Sequence, residues 1–89
     1  MILWDERKNL KLQIERKISF EEIAQIILRK EYIDILKNPS YPKQKLFIIK
    51  FNDYIWAVPF LIDEKDNIIL KTAYPSRKLQ KIYGESHES

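Results

Sequence analysis

The spacing of hydrophobic residues predicts helices in the first third of the chain. Leu10, Ile14 and Ile18 recur every four residues, which is the spacing of an apolar stripe on one side of a helix. The pattern predicts a first helix that follows an N-cap at Asp5 and runs to about Lys17. The charged residues of this helix lie mostly off the stripe, and we expect them on a solvated face: Arg7, Lys8, Lys11 and Glu15.

A second helix is marked by its start signal. Ser19 and Glu22 have the spacing of a capping box, in which each side chain accepts a hydrogen bond from the backbone of the other. The helix is predicted from Phe20 to about Arg29. Its core-facing positions are predicted to be Phe20, Ile23, Ala24, Ile26 and Ile27.

The rest of the chain has the short apolar runs and turn formers that are typical of strands. Four strands are predicted, at residues 32–36, 46–51, 54–62 and 68–73. The third run is apolar almost throughout, which indicates a strand covered on both faces or placed centrally. Pro59 interrupts that run and cannot donate to a ladder, so we expect an edge position or a bulge there.

The order of these elements predicts an α+β fold. Short loops favour a four-stranded antiparallel sheet, with the two N-terminal helices packed on it. A short C-terminal helix is predicted from Ser76 to about Tyr83. Pro75 has the place of a first-turn proline, and Gly84 that of a residue after the helix end.

Composition limits the classes of protein and site that remain. The chain has 89 residues, which predicts one domain at residues 1–84 and a flexible acidic tail at residues 85–89. Cysteine is absent, which excludes disulfides, thiolate zinc sites and cysteine nucleophiles. The single histidine, His87, lies in the tail, so we expect no metal site and no cofactor. No apolar run is long enough for a membrane span and Met1–Glu6 lacks the pattern of a secretory signal, which predicts the cytoplasm.

The distribution of charge points to one stretch near the C-terminus. The net charge is +3 and the isoelectric point is about 9.1. After the apolar run Ile68–Leu70, residues 71–83 carry four cations and no acid: Lys71, Arg77, Lys78 and Lys81. Cations and hydroxyls at the end of a strand can hold a phosphodiester. The residues that we predict to be catalytic are Arg77, Lys71, Tyr74, Thr72 and Ser76.

RNA cleavage is a reaction that this set of residues can support. The 2′-hydroxyl of RNA is an internal nucleophile, so the protein need only stabilise the pentavalent phosphorane and move protons. Arg77 would bind the non-bridging oxygens, and Lys71 or Tyr74 would transfer protons. On a regular strand Lys71 and Tyr74 point to opposite faces, so both can meet one phosphate only if the strand twists or bulges near Pro75.

Two groups of motifs carry a family resemblance. Residues 4–9 read Trp-Asp-Glu-Arg-Lys-Asn and residues 18–24 read Ile-Ser-Phe-Glu-Glu-Ile-Ala, and together they resemble the start of BrnT-family toxins. Residues 71–77, Lys-Thr-Ala-Tyr-Pro-Ser-Arg, resemble the last-strand motif of the wider RelE/barnase-like ribonuclease toxins. In that class a Ser or Thr, an aromatic-Pro pair and a basic residue lie near the active site. The resemblance covers about residues 3–31 and 67–83.

The resemblance implies a metal-independent endoribonuclease that is the toxin of a toxin–antitoxin pair. It would cleave mRNA or tRNA to block translation, with the ribosome as a candidate partner and with an antitoxin, often DNA-binding, encoded beside it. BrnT-like sequences usually carry Lys-His-Gly before the Ser-Phe-Glu-Glu box, where this chain has Glu15, Arg16 and Lys17. Arg16 keeps a cation there but removes the histidine base. The predicted RNA-binding residues are Lys8, Arg16 and Lys78.

Two other functional classes remain open at this point. The basic patch could bind RNA or a ribosome without any chemistry. Alternatively, the chain could be a protein-interaction subunit whose cations are only solvated.

Overall fold

In a computed structural model of the chain, residues 1–84 are described, and they form an α+β fold around a mixed sheet. The strands are β1 (Ile2–Leu3), β2 (Asp34–Lys37), β3 (Lys45–Phe51), β4 (Tyr54–Ile62), β5 (Ile68–Leu70) and β6 (Tyr74–Pro75). The helices are α1 (Glu6–Arg16), α2 (Phe20–Leu28) and α3 (Arg77–Leu79), and a π-helical turn (Gln80–Gly84) follows α3. None of the helices within residues 1–84 has the length and hydrophobicity needed to cross a bilayer. The predicted acidic tail lies outside the described residues.

Both predicted helix starts are confirmed by their capping contacts. The backbone N–H of Arg7 donates to Asp5 Oδ1 at 2.8 Å. At α2, Glu22 N donates to Ser19 Oγ at 3.1 Å and Ser19 N donates to Glu22 Oε1 at 2.9 Å, which completes the capping box. These contacts satisfy N–H groups that have no partner within the helix, so the sequence specifies where each helix begins.

The predicted apolar stripe on α1 is wrong at two of its three positions. Leu10 is 59% exposed and Ile14 is 72% exposed, although Ile18 is buried. The side of α1 that faces the core carries Asn9 and Leu12 instead. Asn9 is 1% exposed, and its Oδ1 accepts a hydrogen bond of 2.7 Å from Phe20 N, the first residue of α2. Compared with the prediction, α1 is rotated about its axis, so that Asn9 contacts α2 while Leu10 and Ile14 face outward.

The sheet differs from the four-stranded antiparallel sheet that was predicted. Its strand order is β1-β5-β4-β3-β2, and β6 also pairs with β4. The pairs among β2, β3, β4 and β5 are antiparallel, but β1 runs parallel to β5. Two residues, Ile2 and Leu3, form β1, and a strand that short leaves no detectable alternation in a sequence.

β4 lies at the centre of the sheet with both faces covered, as its apolar sequence predicted. Alternate residues face two separate hydrophobic clusters, because side chains on a strand point to opposite faces in turn. Phe47, Val58 and Phe60 pack with residues of α1 and α2. The second cluster consists of Leu46, Ile48, Ile55 and Ala57, and the C-terminal segment covers it. α1 and α2 therefore cover one face, and the C-terminal segment, which includes α3, covers the other.

Pro59 lies in this central strand and not at an edge, and the neighbouring strand bulges opposite it. Phe60 pairs with Leu70 in β5, whereas Ala57 pairs with Tyr74 in β6. Two residues of β4 therefore face three residues, 71–73, which is the arrangement of a β-bulge. Lys71 N donates to Pro59 O at 2.9 Å. A regular antiparallel pair would return a bond from position 59, but proline has no N–H to give.

The C-terminal segment is less regular than the predicted helix. Pro75 belongs to β6, where it pairs with Trp56, and α3 begins two residues later at Arg77. Gly84 ends a π-helical turn and does not have the positive φ of a residue after a helix end. A Cβ at Gly84 would lie 2.3 Å from Gln80 Nε2, while Gln80 Oε1 accepts a hydrogen bond from Ile55 N. The glycine therefore leaves room for the side-chain amide of Gln80, which is hydrogen-bonded to β4.

Tyr83 links this segment to β2 and makes part of the stability dependent on pH. Its hydroxyl donates to Asp34 Oδ2 at 2.8 Å. This hydrogen bond raises the pKa of Tyr83, and burial and the charge of Asp34 raise it further. Because the folded pKa is above the ordinary value of about 10, the stabilisation is complete below that pH and is lost as the pH rises through the folded value.

We therefore expect the wild type to exceed Tyr83→Phe in free energy of unfolding by an amount that shrinks above about pH 10. Urea unfolding of the two proteins over a series of alkaline pH values measures this difference. A difference that stays constant across the series would show that ionisation of Tyr83 is not linked to folding.

Candidate functional site

Four cationic side chains line a cavity of about 700 Å³. It is formed by one side of α1, the loop between β2 and β3, Pro59 of β4, and the strand-end residues Lys71, Thr72 and Tyr74. Its charged lining residues are Lys8, Lys11, Glu15, Arg16 and Lys71. Four cations thus face one carboxylate, which makes the cavity suitable for an anion.

The cavity cations are not neutralised within the part of the chain that is described. Among residues 1–84, Lys8, Lys11 and Lys71 make no ion pair and no side-chain hydrogen bond. Glu15, the carboxylate of the lining, is likewise without such a partner in this range. These groups are therefore available to a ligand. The predicted exposure of Arg7, Lys8, Lys11 and Glu15 is confirmed, and the last three of them also line the cavity.

Arg16 is held in the cavity by the bulge. Its Nη1 donates to the backbone carbonyl of Ala73, a fully buried residue. This hydrogen bond orients the side chain. Because a guanidinium carries five N–H donors, others remain for a ligand. Arg16 was predicted to bind RNA because it replaces a family histidine, and the structure places it beside the strand-end motif.

The bulge also brings the strand-end residues to one place. Lys71, Thr72 and Tyr74 all line the cavity, although a regular strand would point Lys71 and Tyr74 in opposite directions. The extra residue in the bulge changes the alternation before Tyr74. The Tyr74 ring packs against the cluster formed by Leu46 and its neighbours, so the core fixes its position.

The loop between β2 and β3 supplies lining residues that sequence reasoning missed. They are Asn38, Ser40, Tyr41 and Gln44. The sequence showed only a loop rich in prolines. The order of the strands could have indicated them. β3 and β5 lie on either side of β4, and the loop that leads into β3 therefore comes close to the end of β5.

Three predicted site residues lie outside this lining. Arg77 and Lys78 are exposed on α3, and neither lines the cavity. Ser76 caps α3, where its Oγ accepts a hydrogen bond of 3.2 Å from Leu79 N, and its own N–H donates to Ile55 O. The structure thus groups Lys8, Arg16, Lys71, Thr72 and Tyr74, and it separates Ser76, Arg77 and Lys78 from them.

A second cavity, of about 580 Å³, has a different character. It lies between β1 and α2, and Trp4, Ala24 and Leu28 are among its lining residues. Its ionisable side chains are Glu21 and Asp66, with no lysine or arginine in the lining that is described. An anionic ligand would therefore favour the first cavity.

Comparisons with known proteins provide no assigned function. No family model matches the chain, and no solved structure matches it. Over 83 residues the chain is 31% identical to an uncharacterized protein of Methanocaldococcus jannaschii. That match covers 82% of this chain and 19% of the other protein, so the chain spans about a fifth of the length of the relative it matches.

Proposed function

We propose that this chain is the toxin of a toxin–antitoxin pair and that it cleaves RNA in the cationic cavity. The observation that carries the proposal is the convergence of unpaired cations with hydroxyl groups around the bulge. Arg16 and Lys71 would hold the phosphate, beside Thr72 and Tyr74. The resemblance of residues 3–31 and 67–83 to ribonuclease toxins supports the same function, since both segments contribute to the cavity.

The proposed reaction needs no nucleophile from the protein. The 2′-oxygen attacks the adjacent phosphorus and the bond from phosphorus to the 5′-oxygen breaks. Glu15, the carboxylate of the lining, takes the proton from the 2′-hydroxyl, and Tyr74 or Lys71 protonates the leaving 5′-oxygen. Arg16 and Lys71 stabilise the charge of the phosphorane. The products are a 2′,3′-cyclic phosphate and a 5′-hydroxyl.

The proposed partners follow from this role. The RNA would be mRNA or tRNA in the cytoplasm, either free or on the ribosome, and an antitoxin would neutralise the toxin. Leu10 and Ile14 lie one turn apart on the outer side of α1, and both are mostly exposed. This apolar pair offers a contact for a protein partner on the helix that also forms one side of the cavity.

A second candidate is an RNA-binding module without catalysis. It is favoured by the position of Arg77, the residue assigned to phosphorane stabilisation from sequence, outside the cavity lining. Binding through Lys8, Lys11 and Arg16 would need only the positive charge of the cavity. Formation of new RNA ends distinguishes the two candidates.

We expect the purified protein to cut RNA in the presence of EDTA and to leave cyclic phosphate and 5′-hydroxyl ends. Mapping these ends by sequencing, with and without ribosomes, measures the activity and its dependence on the ribosome. Expression should also arrest growth, and co-expression of a small protein encoded beside the gene should restore it. RNA that is bound but left intact in both settings would reject catalysis and support the binding module.

A further inference from the structure

We infer that Tyr41 is a stacking platform for an unpaired base and that the cavity takes single-stranded RNA. The inference rests on the proposed RNA substrate and names the form of that substrate. Tyr41 lines the cationic cavity, yet 60% of its surface is exposed. A large ring that is exposed beside cations can bind a base while the cations bind the adjoining phosphate.

Hydrogen bonds hold the backbone of the loop that carries Tyr41. Asn38, which is 8% exposed, accepts a hydrogen bond of 3.0 Å from Ser40 N and donates to Gln44 Oε1 at 3.3 Å. Gln44 N donates to the carbonyl of Tyr41 at 2.9 Å. Pro39 and Pro42 further restrict the backbone on both sides of the ring. A backbone held in this way need not be ordered when a base stacks on the ring, so that part of the entropy cost is avoided.

The side chain of Tyr41 makes no polar or aromatic contact in the part of the chain that is described. Within residues 1–84, its hydroxyl makes no hydrogen bond, and its ring makes no aromatic contact. Tyr74 also lines the cavity, but it packs against the core. Tyr41 is therefore the aromatic group that a ligand can cover, and a base within a duplex has no free face to offer it.

Binding of an uncleavable probe tests this inference separately from catalysis. The probe is a fluorescent 2′-O-methyl oligonucleotide, used as a single strand and annealed to its complement. We expect Tyr41→Ala to weaken binding of the single strand by about 10-fold and to leave duplex binding nearly unchanged. Tyr41→Phe keeps the ring and should bind as the wild type does. Ile82→Ala, at an exposed apolar residue outside the cavity, is the matched control.

Each outcome has a defined meaning. Unchanged single-strand affinity in Tyr41→Ala overturns the inference, as does an equal loss in Tyr41→Phe, which would assign the effect to the hydroxyl. Absence of wild-type binding to the single strand overturns it as well. If binding depends on the Tyr41 ring but the parent RNA with free 2′-hydroxyls stays intact, the inference holds and only the ribonuclease proposal fails.

Discussion

Replacement of Arg16 by alanine is expected to lower the rate of RNA cleavage by at least about 100-fold. The guanidinium is fixed by the carbonyl of Ala73 and lies in a cavity that Lys71 and Lys8 also line. A fixed donor stabilises developing charge better than a mobile one, because no reorganisation is needed as the reaction proceeds. Arg16→Lys keeps the charge but loses the planar set of donors, so it should recover only part of the rate.

Two further arginine variants make this experiment specific. Arg29→Ala removes an exposed cation that follows α2 and does not line the cavity, and it should cleave as the wild type does. Arg77→Ala separates the cavity from the site predicted by sequence, and we expect a change of less than about 3-fold from loss of one exposed charge. Single-turnover cleavage at saturating protein measures all four variants. If Arg77→Ala is inactive while Arg16→Ala is active, the reaction occurs at the start of α3 and not in this cavity.

Asn9→Ala is expected to lower the free energy of unfolding by about 2–3 kcal/mol. The side chain is almost fully buried, and it joins α1 to α2 through two well-formed hydrogen bonds. Its Oδ1 accepts from Phe20 N at 2.7 Å, and its Nδ2 donates to Glu21 Oε1 at 2.8 Å. Without it, the buried N–H of Phe20 loses its acceptor, and a buried donor left unsatisfied is costly.

Urea unfolding of Asn9→Ala beside Gln13→Ala measures this effect. Gln13 is exposed on the same helix, so its replacement is a change to alanine on α1 that removes no buried side chain. Equal stability of the two variants would mean that the polar contact between the helices contributes nothing beyond propensity.

Local signals in the sequence predicted most of the elements. The caps at Asp5 and Ser19 fixed both helix starts, because capping depends on residues within one turn. The bounds of β4 were also predicted, because its long apolar run has a turn before it and a turn after it. β1 and β6 were not recognised because each has two residues and exists only through its partner strand.

The cavity was predicted only in part, because its composition depends on tertiary packing. Lys71, Thr72 and Tyr74 are close in the sequence, so their clustering at one strand end could be expected. The contribution of Lys11 and Glu15 depends on the rotation of α1, which the buried Asn9 shifts away from the hydrophobic pattern. Tyr41 lines the cavity because the strand order places the loop between β2 and β3 beside it. None of these three was visible from spacing.

The proline in β4 has a consequence for the shape of this cavity. Because Pro59 has no N–H, the register of the neighbouring strand can shift by one residue there without the loss of a hydrogen bond from position 59. The shift in register determines which side chains after Leu70 point toward α1. The lining of the cavity thus depends partly on a hydrogen atom that Pro59 lacks, although the side chain of Pro59 has no functional group.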